Sequence, residues 1–239
     1  MKNLHVNRLA RVLLAVLLTV SVTVAAGISD DPLLAKVMVN ELEWRKRAGD
    51  GAVNWDADAW LGKDINKLWL KTEGVYAGGD TEDLEVQLLY SRAIASYWDL
   101  QLGWRGDPEP GPSRNWLAFG VRGLAPYFFD IDAAVFIGAG GRTAARLEVE
   151  YELLFTQRLI LEPMLEVNLY GKADEASGIG SGLTGLELGL RLRYEIRREF
   201  APYIGINWWN KFGDTRDLAK AAGEETDDLE FVAGVRFWF

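Results

Sequence analysis

Glu148, Glu150 and Glu152 stand at every second position of the stretch Leu147-Glu148-Val149-Glu150-Tyr151-Glu152-Leu153. Alternate residues of an extended chain share a face, so three carboxylates project from one side while Leu, Val, Tyr and Leu project from the other. Asp130 and Asp132 repeat the spacing one segment earlier, and Glu162, Glu166 and Glu187 follow. Carboxylates gathered in this way are hard oxygen donors, suited to a cation that is passed along or weakly held. The same residues have a purely structural use. Arg122, Arg191 and Arg193 could reach them, and a network of paired charges would fill a narrow interior and hold its shape.

Most other chemistry is excluded by what the chain lacks. Lys2, Arg8 and Arg11 precede an apolar run from Val12 to Leu18 that continues to Val24-Ala25-Ala26, a small-residue cleavage pattern. Residues 1–26 are therefore expected to be a secretory signal peptide. His5, the one histidine, leaves with it, and the sequence has no cysteine. A Ser-His-Asp or Cys-His arrangement cannot be built, nor a zinc site with His or Cys ligands, so no catalytic and no cofactor-binding residues are assigned and no enzyme is expected. Removing three basic residues and no acid takes the net charge from −9 to −12, which disfavours nucleic acid as a partner. The glycine-rich pieces Gly138 to Gly141 and Gly178 to Gly182 lack a phosphate-binding lysine and are expected to be turns.

The carboxylates need elements that turn one face to polar surroundings and the other to oil. From Val37 onward the sequence has period two, broken by turn residues. Twelve strands are predicted: 37–47, 52–60, 64–76, 83–95, 97–105, 115–123, 127–138, 143–155, 159–170, 183–196, 201–211 and 228–239. Most are long enough to cross a bilayer when tilted, although no apolar run after the signal could cross as a helix. The last strand alternates Phe231, Ala233, Val235, Phe237 and Phe239 against Val232, Gly234, Arg236 and Trp238, and ends on an aromatic. Connections sort by parity. Even-numbered gaps are tight, whereas the long ones, Gly106 to Arg114, Gly171 to Gly182 and Phe212 to Asp227, are all odd-numbered. An outer-membrane barrel has that asymmetry, with short turns facing the periplasm and long loops facing out. The fold predicted is all-β: a transmembrane antiparallel up-and-down β-barrel over residues 37–239, after a short periplasmic segment, 27–36. Trp98, Trp104, Trp116, Trp208 and Tyr203 lie near strand ends and are expected in aromatic girdles. Trp69 falls mid-strand and is expected to plug the lumen. Pro163 withdraws one ladder donor from the closed barrel.

Several stretches resemble the copper resistance protein B family of outer-membrane proteins: Ala59 to Gly74, Leu89 to Arg105, Gly120 to Asp130, Gly178 to Gly205 and Gly234 to Phe239. The resemblance implies an outer-membrane barrel that serves copper resistance and copper homeostasis. It also implies copper ion as the ligand, outer-membrane lipid as the surroundings, and a periplasmic multicopper oxidase or copper carrier as a partner. Relatives commonly carry a Met- and His-rich segment ahead of the barrel, whereas Gly27 to Lys36 here contains neither residue. On this reading copper meets the acids Asp130, Asp132, Glu148, Glu150, Glu152, Glu162, Glu166 and Glu187. The alternative is a general channel or a structural barrel whose lumen charges are paired with one another and have no metal selectivity.

Overall fold

Alternating sequences of this kind can satisfy every backbone group in lipid only by closing a sheet on itself. The computed structural model describes residues 31–46 and 51–239, and the expected signal peptide lies outside them, as do the first residues of the expected periplasmic segment. Twelve crossing strands form one ring: β1 (Leu34–Lys46), β2 (Ala52–Gly62), β3 (Asn66–Ala77), β4 (Asp80–Ala95), β5 (Trp98–Glu109), β6 (Arg114–Leu124), β7 (Asp130–Gly138), β8 (Thr143–Glu150), β9 (Leu159–Tyr170), β10 (Gly182–Tyr194), β11 (Phe200–Lys211) and β12 (Asp227–Trp238). Leu153–Leu154 continues β8 after a break. Each strand pairs antiparallel with the next, and β12 returns to β1 with Met38 opposite Trp238 and Lys46 opposite Phe231. Val37 and Phe239 exchange both backbone hydrogen bonds, at 2.9 and 3.0 Å, so the aromatic terminus is the seam of the ring.

The faces divide as the alternation requires. Ile204 and Phe231 are 64% and 63% exposed, and Leu188, Leu190, Leu117 and Phe119 also look outward, whereas Glu43, Glu230 and Asn207 are at most 1% exposed. Oil outside and charge inside is the reverse of a water-soluble sandwich and matches a lipid-embedded barrel with a polar interior. Five connections at one end, 63–65, 96–97, 125–129, 155–158 and 195–199, are short; the opposite end carries 171–181 and 212–226, the latter with the helix α1 (Gly213–Ala222). The short-turn rim presents Tyr97, Tyr127 and Phe128, each with positive φ and largely exposed, where interfacial aromatics are expected.

Three expectations need correction. Gly106 to Arg114 is mostly strand, leaving 110–113 as the connection, because Asp107 draws the two chains together: it accepts from Arg105 Nε at 2.7 Å and Trp116 Nε1 at 2.9 Å and pairs with Arg114 at 3.3 Å. Trp116 and Tyr203 are not in a girdle. Their positions share parity with inward residues, and both are buried, Tyr203 donating its hydroxyl to Glu43 at 3.0 Å. The predicted strand 143–155 is interrupted at Tyr151 and Glu152. Tyr151 donates to the Pro163 carbonyl at 3.1 Å, but the proline has no N–H to return, and the ladder lapses there.

Candidate functional site

Cross-strand register arranges the inward side chains into rows. One begins with Asp99 at the short-turn end of β5 and passes through Arg122, Asp132, Glu148, Glu166 and Glu187 to Trp209 and Asp228 at the long-loop end of β12. Four successive members, Asp132, Glu148, Glu166 and Glu187, are carboxylates directly opposite one another on β7 to β10. Residues so placed have Cβ atoms about 5 Å apart, and like charges there repel. Because strands in a barrel are tilted, this row climbs the wall from one mouth toward the other. The adjacent row places Asp130 opposite Glu150 and Glu150 opposite Met164.

Cations from neighbouring strands and from across the lumen meet part of this charge. Lys71 on β3 donates to Asp132 at 2.6 Å, Arg45 on β1 to Glu187 at 2.9 Å, and Arg146 lies 3.7 Å from Glu166 while also holding Glu85 at 2.9 Å. Arg193 pairs with both Glu152 and Glu162, and Arg236 reaches Glu162 at 3.2 Å. Asp130, Glu148 and Glu150 have no Lys or Arg within ion-pair distance among the described residues. These three border a central cavity whose lining holds ten carboxylates and four cations, so the space is anionic despite the bridges. No three carboxylates among the described residues converge as ligands for a metal ion.

The eight predicted acids thus share one lumen without forming one cage. Asp130, Asp132, Glu148, Glu150 and Glu162 line the central cavity, Glu166 and Glu187 extend the row beyond it, and Glu152 sits apart at the periplasmic mouth. Sequence reasoning missed Glu41, Asp56 and Asp58, which face them across the cavity. Asn54, Asp56 and Asp58 carry the same every-second-residue signature as Glu148 to Glu152, so the signal was present. Asn40 ties this side together by donating to Asp58 at 3.1 Å from a bulge in β1.

Nearer the long-loop end the same wall turns apolar. Trp60, Trp69, Leu89, Gly103, Ala118, Phe136, Ala144 and Tyr170 make another continuous row. Trp69, Leu89, Trp116, Ala118, Phe136 and Ala144 form a buried cluster. The Arg105 and Arg122 guanidiniums stack 4.4 and 5.2 Å from the ring centroids of Phe136 and Trp69. The passage left is narrow, and on β6 to β9 the greasy row runs beside the carboxylate ladder, four residues nearer the long-loop end.

Comparison with known proteins bears on what such a passage serves. The family model described as copper resistance protein B precursor (CopB) matches residues 33–239. "Copper resistance protein B" of Escherichia coli is 46% identical over 213 residues, covering 89% of this chain and 72% of that protein. "Copper resistance protein B homolog" of Pseudomonas syringae pv. tomato is 44% identical over 212 residues, with the same coverage. Among solved structures, the NanC porin superposes with a TM-score of 0.55 at 11% identity and the KdgM porin with 0.50 at 10%, each over 85% of this chain and 99% of the porin. These two likenesses concern the fold alone.

Proposed function

This chain belongs to the copper resistance protein B family, an outer-membrane barrel family serving copper resistance, and from that premise we propose that it conveys copper ions through its lumen along the carboxylate row. The observation that supports this reading is the unbroken succession Asp132, Glu148, Glu166, Glu187, with Asp130 and Glu150 beside it. Each carboxylate offers a hard oxygen about one step from the next, so an ion can exchange ligands along the wall without being trapped. Soft ligation is scarce: Met38 and Met164 are the methionines of the barrel, and divalent copper bound weakly by oxygen suits this set better than monovalent copper. The family resemblance adds a periplasmic multicopper oxidase or copper carrier as the proposed partner, with lipid around the barrel wall.

Titration of the folded protein with Cu(II), beside a variant carrying Glu148→Gln, Glu150→Gln and Glu166→Gln, tests the reading. Weak binding that the triple variant loses is expected. Equal binding by both proteins refutes it.

A second reading has its own support. Lys71–Asp132, Arg122–Asp58 and Arg146–Glu85 all cross the lumen, and with the Trp69 cluster they could seal it. Planar-bilayer conductance separates the two: a sealed structural barrel passes almost no current, whereas a conveying one passes cations in preference to anions.

A further inference from the structure

The periplasmic mouth has the opposite electrostatic character to the cavity above it. A second space opens where β1, β10, β11 and β12 reach the short-turn end, and Lys36, Arg193, Arg198 and Arg236 line it against two carboxylates, Glu152 and Glu195. Arg198 meets Glu195 at 3.1 Å, while Arg193 and Arg236 share Glu162 and Glu152. Lys36 has no carboxylate partner among the described residues, and its ammonium stands 4.7 Å from the centre of the Trp238 ring. Arg193 is 4% exposed, and its Nε has no hydrogen-bond partner. Positive charge is thus in excess, partly unbonded, at the entrance to an otherwise acidic lumen.

A free divalent cation is repelled by such a collar, and a multivalent anion is drawn into it. We propose that this vestibule binds a small polycarboxylate anion and receives copper as its anionic chelate. The copper half of this statement rests on the reading above; the anion half does not. In the transfer, copper–oxygen bonds to the chelator break as bonds to Glu152 and Glu162 form. The arginines that held those two carboxylates take the chelator's carboxylates in exchange. Copper stays divalent, each oxygen keeps its electron pair, and the chelator departs as the free anion.

Calorimetric titration of the folded full chain in detergent with citrate, in the absence of metal, is the test. Wild-type protein binds citrate, and Lys36→Gln and Arg198→Gln each weaken that binding by about tenfold or more, the usual consequence of losing one charge-assisted hydrogen bond. Arg198 is largely exposed, so its variant keeps the test valid if Lys36→Gln fails to fold, with heat-modifiable gel migration as the check. No citrate binding by the wild type, or unchanged affinity in the folded variants, overturns the proposal. Because copper is absent, failure of the carboxylate row to bind Cu(II) would leave this result standing, and failure here would leave the row untouched.

Discussion

Replacing Glu148 by Gln should make the barrel more stable and weaken the Cu(II) binding proposed above. Glu148 lies directly between Asp132 and Glu166 in the cross-strand row and has no cationic partner among the described residues. Two unit charges about 5 Å apart repel by roughly 0.8 kcal/mol at the dielectric of water and roughly 3 kcal/mol at an effective value of 20. Lys71 and Arg146 already neutralise part of the charge on Asp132 and Glu166, so the gain on removing both repulsions is on the order of 1–2 kcal/mol. With a urea slope of about 2 kcal/mol per molar, the unfolding midpoint in lipid vesicles should rise by about 0.5–1 M, followed by tryptophan fluorescence. Glu43→Gln is the opposing control. That buried carboxylate accepts from Arg45, Arg191 and Tyr203, and removing its charge should destabilise the barrel by about 3–5 kcal/mol. A midpoint for Glu148→Gln that falls or stays unchanged refutes the claim that the row is a site of stored repulsion.

Trp69→Ala should open the apolar wall, raising single-channel conductance and lowering stability by about 3–5 kcal/mol, because the buried cluster loses one of its two tryptophans; unchanged conductance would show that the constriction lies elsewhere. Pro163→Ala returns an N–H opposite the Tyr151 carbonyl, so the amide gained by the substitution should be protected from hydrogen exchange, with a net stability change within about 1 kcal/mol as the new bond offsets greater chain entropy. Free exchange at that amide would refute the assignment of the break to the proline. Asp107→Asn leaves Arg105 and Arg114 facing each other without their shared anion and should fray the β5–β6 hairpin, seen as faster exchange beyond Gly106.

How much of this was legible in the chain follows from what each level of structure depends on. Alternation is a property of one strand, and it assigned Glu148, Glu150, Glu187 and Arg191 to the inside and Leu188 and Leu190 to the outside without any knowledge of neighbours. It would equally have placed Trp116 inside, since Trp116 has the parity of Arg122; the girdle expectation overrode a stronger signal. Rows are a property of register, and register is set by bulges, such as the one that inserts Asn40 in β1, and by the closing pair of β1 with β12, which no single segment announces. That is why the sequence yielded a scattered set of acids, while the closed sheet lines four of them up on one climbing track and collects Trp69, Leu89 and Phe136 on another. The separation of these two tracks is the physical content of the site. Had the register slipped by two residues at one strand, every side chain would keep its face, yet Glu148 would no longer stand opposite Asp132 and Glu166, and the barrel would keep its fold and lose its ladder.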